Sequence, residues 1–258
     1  MKVTRYPVIL VHGILLKDYH FFKSFGKIEE SLKKNGYSVS TAPTDGFGTI
    51  ENNAAQLKEY VQKILKEQHV EKVNLIAHSK GGLDCIHMIK SLGMEDNVAS
   101  LTTLCTPHLG SPIASFILSC PKWILKFIAF WINLWYRLFG DKHPDCLKVC
   151  KQLKQRDKAE FIGFSQKVYC QSYSTTLKSG EDDFIMGIPY LFSKLLESKD
   201  TDGLVSVESS KFEHYRGNFG DDSISHSEAV GFTLKQEKRE RIIGFYLQML
   251  NELAEMGF

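Results

Sequence analysis

Val73-Asn74-Leu75-Ile76-Ala77-His78-Ser79-Lys80-Gly81-Gly82-Leu83 begins as an apolar run and breaks at small residues. It continues through Asp84, Cys85, Ile86, His87, Met88 and Ile89 with the look of a helix. The first part suits a buried strand. Ser79 sits at the break, between Ala77 and Gly81, in the pattern small-x-Ser-x-Gly. A sharp strand-to-helix turn would lift the serine hydroxyl above the sheet edge. The chain passes close to itself in such a turn, so the positions two before and two after the serine must be small. Gly81 meets that demand and Ala77 meets it with one methyl. The turn would also leave the backbone N–H of Lys80 at a helix N-terminus, facing any negative charge that develops beside the serine. Serine between small residues is common, and the pentapeptide alone carries no function. The strand before it and the helix after it carry more.

Outward from this stretch, strand and helix patterns alternate. Pro7 to Val11 is a short apolar run ending in His12-Gly13-Ile14-Leu15, which predicts a central parallel strand and a glycine-containing loop. The Ile14 N–H in that loop could pair with the Lys80 N–H to bind an oxyanion, while His12 braces the loop. Phe21 to Lys34 reads as an amphipathic helix stopped by Asn35-Gly36, and Tyr37 to Ala42 as a strand. Asn53 to Glu67 is again helical, with Ala54, Leu57, Tyr60, Val61, Ile64 and Leu65 on one face. Ser100 to Thr106 is a fourth strand. The expected fold class is α/β: a mostly parallel sheet with helices on both faces and the site at the C-terminal ends of the strands.

The alternation stops at Thr106-Pro107-His108-Leu109-Gly110-Ser111-Pro112, a loop in which His108 comes too early to be a catalytic base for this architecture. Lys122 to Phe139 then holds all three tryptophans, Trp123, Trp131 and Trp135, together with Phe127. Lys122, Lys126, Asn133 and Arg137 fall on one narrow polar stripe of this otherwise apolar helix. Such a rod must cover something apolar, dock a partner or lie at a lipid surface. Its place in the chain predicts a lid over the serine, in an insertion at about 112–163, with Trp123, Phe127, Trp131 and Trp135 toward substrate. A core helix with one wet edge is the plainer alternative.

Helical character is expected for Lys148 to Phe164, a strand for Lys167 to Tyr173, a polar loop for Ser179 to Asp183 and a short helix for Ile188 to Glu197. Asp202 follows in a tight Asp-Gly turn, then a strand at Lys211 to Tyr215, His226 in a loop, and a terminal helix from Leu234 to Met256. At 258 residues, with no repeats or linker, the chain reads as one domain spanning 1–258. A net charge of +2 and the absence of a basic groove with interleaved aromatics point away from nucleic acid. Six cysteines without a C-x-x-C pair suggest reduced thiols and no zinc. The run Val8 to Val11 is too short for a secretory core segment, which gives the expectation of a cytoplasmic protein, or of a secreted one already trimmed.

The order Ser79, Asp202, His226 is that of nucleophile, acid and base in α/β-hydrolases. Val11-His12-Gly13, Ala77-His78-Ser79-Lys80-Gly81-Gly82, Thr106-Pro107-His108-Leu109-Gly110-Ser111 and Asp202-Gly203-Leu204-Val205-Ser206 together resemble the bacterial triacylglycerol lipases of the Pseudomonas and Burkholderia type. The resemblance implies an α/β-hydrolase fold with an inserted helical lid, and hydrolysis of acylglycerols or other apolar acyl esters through an acyl-enzyme. It also implies transient contact with a lipid interface through the lid. A thioesterase or acyltransferase on the same triad is the alternative, as is a non-catalytic protein that binds a membrane or partner. The family carries a structural calcium, held by an aspartate two residues after the catalytic histidine and a glutamine four further on. Those positions here are Glu228 and Phe232. Phenylalanine supplies no oxygen, so no cofactor and no metal are expected, unless Glu228 with Asp182 or Asp183 preserves an oxygen cage.

Overall fold

A computed structural model describes residues 2–14, 18, 23–154, 164–183, 185–220 and 223–258. Six strands form one sheet: β1 (Val8–Val11), β2 (Val39–Thr41), β3 (Val73–His78), β4 (Val98–Leu104), β5 (Tyr169–Ser174) and β6 (His214–Asn218). Their spatial order is β2-β1-β3-β4-β5-β6, and all five pairings are parallel. The elements α1 (Ile28–Lys34), α2 (Ile50–Glu67), α3 (Lys80–Ser91) and α9 (Gln236–Glu255) cover the sheet.

Alternate side chains of one strand point to opposite faces, so each central strand feeds two cores. Ile9 and Val11 of β1, Leu75 and Ala77 of β3 and Leu101 of β4 pack with α2 and α3. Val8 and Leu10, Ile76 and Leu104 pack on the other face with α1 and α9. Burial on both faces explains why these strands read as unbroken apolar runs. The doubly covered parallel sheet agrees with the fold class expected from the sequence.

Several boundaries differ from expectation by a few residues, and three of the differences have a local cause or limit. The first helix begins at Ile28 rather than Phe21, because the chain turns at Gly26, where φ is +49°. Phe21 itself lies outside the described residues. The last strand starts at His214, after Glu213 takes a left-handed conformation at φ 44°. Of the helix expected over 148–164, α6 (Cys146–Gln152) is present, and 155–163 lie outside the described residues.

Between β4 and β5 come α4 (Pro112–Ser119), α5 (Lys122–Leu138) and α6. Beyond β5, α7 (Gly187–Leu196) and α8 (Val207–Ser210) precede β6. α4 packs on α6 and α7, with Phe116 and Phe192 edge to face at 4.7 Å. Among the described residues no single helix is long and apolar enough to cross a membrane; α4 and α5 pass that test only as a pair bent by 118°.

Candidate active site

Ser79 ends β3 and precedes α3 with φ 54° and ψ −133°, a conformation an L-residue rarely adopts. The turn is tight. A Cβ on Gly81 would stand 2.5 Å from the carbonyl oxygen of His12, and one on Gly13 would stand 2.6 Å from Cβ of Ser79. Glycine is therefore required at both positions, while the Ala77 methyl is buried in the core beneath α2 and α3.

The serine hydroxyl faces a histidine delivered from the far end of the chain. His226 Nε2 lies 2.9 Å from Ser79 Oγ, and His226 Nδ1 lies 2.7 Å from Asp202 Oδ2. The other Asp202 oxygen accepts the N–H groups of Leu204 and Val205 at 2.9 and 2.8 Å, the Asp-Gly turn holding its own carboxylate. The His226 N–H also donates to the Asp202 carbonyl at 2.9 Å. Asp200, the neighbouring aspartate, points to solvent beside Lys194. His108 stacks on Phe212 away from Ser79, and His214 stacks on Tyr169, so neither competes for the serine.

Two further histidines support the site from below. His12 donates from Nδ1 to the Gly13 carbonyl at 2.9 Å, the bracing role expected of it. His78 donates from Nε2 to the carbonyl of His226 at 3.0 Å, a contact the sequence did not announce. Burial, reinforced by the His226 imidazole, holds His78 well below the usual histidine range, and burial lowers His12 as well. Both are therefore neutral donors at pH 7.

Ile14 lines the cavity above Ser79, and Lys80 is the first residue of α3, where helix N–H groups lack intrahelical partners. The Lys80 side chain was not anticipated. It is fully buried and binds Asp84 at 2.7 and 2.9 Å, and Asn53 donates to the same carboxylate at 3.1 Å. Burial, only partly opposed by the lysine, pushes Asp84 up to about 6. The i,i+4 spacing of Lys80 and Asp84 was the available signal.

A cavity of about 480 Å³ opens over Ser79 and His226. Its walls are almost wholly apolar: Ile113, Ala114 and Ile117 from α4, Leu153 beyond α6, Ile185 and Met186 before α7, and Leu204 and Val205 beside Asp202. The predicted substrate-facing set, Trp123, Phe127, Trp131 and Trp135, is not among them. α4 stands where α5 was expected, and α5 turns these four aromatics to solvent. The polar stripe is corrected too. Asn133 faces inward and accepts the Cys146 N–H at 2.8 Å, so α5 rests on its Asn133 and Ala129 side and exposes the aromatic one.

Among the described residues, two sets come into question as metal ligands. One ligand atom each of His78, Cys105 and His226 lie within 4.8 Å of one another, but both His226 nitrogens are engaged with Ser79 and Asp202, and burial pushes the Cys105 thiol far up. The calcium that the lipase resemblance implies does not fit either. The Glu228 carboxylate accepts the Ser225 N–H and the ammonium of Lys238 at 2.5 Å. Asp182 is bound to Ser223, and Asp183 to Ser225 and Ser227. Lys238 already places an ammonium beside Glu228, and among the described residues no cage of oxygens converges there.

Fold and site define the class: an α/β-hydrolase enzyme of the carboxylesterase and lipase group, with its serine on a strand-to-helix turn. The profile of the palmitoyl protein thioesterase family matches residues 7–139, and the chain belongs to that family. Among named relatives it is similar to triacylglycerol lipase 2 of Saccharomyces cerevisiae, 28% identical over 90% of this chain and 73% of the relative. A triacylglycerol lipase of Pseudarthrobacter phenanthrenivorans is 38% identical over 71% of this chain and 63% of the relative. The chain therefore spans roughly two thirds of the length of these relatives. The mature lipase BlEst2 of Bacillus licheniformis shares the fold, with a TM-score of 0.65 at 20% identity over 96% of this chain and 92% of that one. The lipase resemblance drawn from the four motifs is thus borne out.

Proposed function

We propose that the chain hydrolyses esters of apolar acyl chains, acylglycerols foremost, through an acyl-enzyme on Ser79. The observation that carries this is the hydrogen-bonded series Asp202–His226–Ser79 at the floor of an apolar cavity. In this reading His226 takes the Ser79 proton as the hydroxyl attacks the carbonyl, and Asp202 fixes the imidazole and stabilises its cation. The N–H groups of Ile14 and Lys80 receive the oxyanion. His226 then activates water, which releases the acid. None of these steps needs a cofactor.

The family match supports a second reading, a thioesterase on the same triad, because only the leaving atom differs. In either case the exposed aromatic side of α5 meets a lipid surface, with α4 acting as the movable wall of the cavity and the 112–163 insertion as the lid. The test is turnover of a p-nitrophenyl ester series from acetyl to palmitoyl beside palmitoyl-coenzyme A, by wild type and Ser79→Ala. Loss of all turnover in folded Ser79→Ala supports the nucleophile, and the ratio of ester to thioester rates decides between the two readings. Undiminished turnover in that variant refutes both.

A further inference from the structure

His226 sits inside a four-residue turn that closes on itself. The Glu228 carboxylate accepts the Ser225 N–H at 3.0 Å, and the Ser225 hydroxyl accepts the Glu228 N–H at 3.1 Å. This reciprocal Ser-x-x-Glu box precedes the short 3-10 turn Glu228–Val230. On one side Asp183 takes the Ser225 hydroxyl, and the Ser227 hydroxyl at 3.1 Å. On the other, Lys238 in the first turn of α9 places its ammonium 2.5 Å from Glu228. The Lys238 and Glu228 side chains are only 10% and 5% exposed. The backbone beyond the turn is pinned as well, by the Tyr246 hydroxyl on the Ala229 carbonyl at 2.9 Å.

Taking an ion pair out of water is costly, and stability alone would be served as well by an apolar pair. What this pair achieves is positional. Without a cation, the Glu228 carboxylate would be a buried lone charge, and the bond that fixes the backbone just before His226 would be lost with it. We propose that the Lys238 ammonium is a built-in cation that, acting through Glu228, sets His226 in line with Asp202 and Ser79, in place of a divalent metal. Lys238 is a positioning residue. Neither it nor Glu228 lines the cavity, so its loss reaches turnover rather than substrate affinity.

The inference rests on the hydrolase reading, and its test separates the two. Wild type, Lys238→Met, Lys238→Arg and Glu228→Met/Lys238→Met are compared by p-nitrophenyl butyrate kinetics, by thermal melting with excess CaCl2 or EDTA, and by the low-field proton NMR signal of His226 Nδ1–H bonded to Asp202. Lys238→Met is expected to lose roughly 10- to 100-fold in kcat, the cost of a small misplacement of a reacting group, at nearly constant KM. Its low-field signal should broaden or vanish, and Lys238→Arg should restore both. CaCl2 and EDTA should leave wild-type melting and turnover unmoved. If Lys238→Met fails to fold, the double variant, which buries no lone charge, should fold and show the same loss. Wild-type kcat and signal in either folded variant would overturn the proposal, as would failure of Lys238→Arg to restore them or a wild-type melting temperature raised by CaCl2. The NMR signal requires no substrate, so it decides the proposal even where the ester assay, and with it the function reading, fails.

Discussion

Replacing Trp123, Phe127 and Trp131 together by serine tests the lipid-facing role of α5. The three side chains are 73%, 64% and 54% exposed. Aromatic side chains offer about 150–250 Å² each, so this trio presents about 400 Å² of apolar surface to solvent. Buried completely at about 25 cal/mol per Å², that area is worth ~10 kcal/mol. A helix lying in the interfacial plane sinks only partway, which leaves about half, ~5 kcal/mol, and so a partition coefficient lowered roughly 4,000-fold. The protein should still fold, because α5 is held by Ala129 and Asn133 on its opposite side. The assay is co-sedimentation with phosphatidylcholine vesicles containing a third anionic lipid, since Lys122, Lys126 and Arg137 flank the aromatic side. Hydrolysis of p-nitrophenyl acetate, run in parallel, should remain at the wild-type rate because none of the three lines the cavity. A loss of vesicle binding below roughly tenfold would refute the interfacial assignment. An equal loss of acetate hydrolysis would mean that α5 shapes the cavity after all.

Asp202→Asn should lower kcat by about 10⁴-fold, as for other triads, while Asp200→Asn, exposed and paired with Lys194, should stay near wild type in the same assay. Asp84→Ala strips the buried Lys80 ammonium of both acceptor oxygens and should cost about 3–5 kcal/mol in urea unfolding, unlike Asp84→Asn, which keeps one acceptor as the protonated acid does. The pH dependence of stability offers a separate check on Asp84. Its folded pKa of about 6 lies above the unfolded value of 3.8, so the folded state holds the extra proton between them. The stabilisation from that proton is complete below the unfolded value and is lost as the pH rises through the folded one, to the extent of ~3 kcal/mol. Asp84→Asn should abolish that component of the pH slope between pH 4 and pH 6. Gly81→Ala forces a Cβ to 2.5 Å from the His12 carbonyl oxygen, and should either prevent folding or remove turnover while circular dichroism remains native.

The parts of this fold that were legible in the sequence are those governed by short-range rules. Strands buried on both faces must be apolar throughout, and β1, β3 and β4 are. A turn as tight as that at Ser79 must have glycine where His12 passes, and Gly81 is there. Asp202 and His226 could be placed because their order along the chain is fixed by the architecture. What stayed hidden depends on which surfaces meet. The apolar pattern of α5 gave a face correctly but not its direction, since a side that covers a cavity and a side that waits for lipid have the same composition. Its orientation is decided by Asn133, whose bond to the Cys146 N–H turns the helix about its axis. Charges inside the protein were missed for a related reason. Lys80 and Lys238 read as solvated lysines until Asp84 and Glu228 are brought against them. In each pair the acid lies close in sequence, four residues away for Lys80 and ten for Lys238. Both pairs adjoin a residue of the Ser79–His226 contact. A buried ammonium thus stands close to each of the two turns that carry the serine and the histidine.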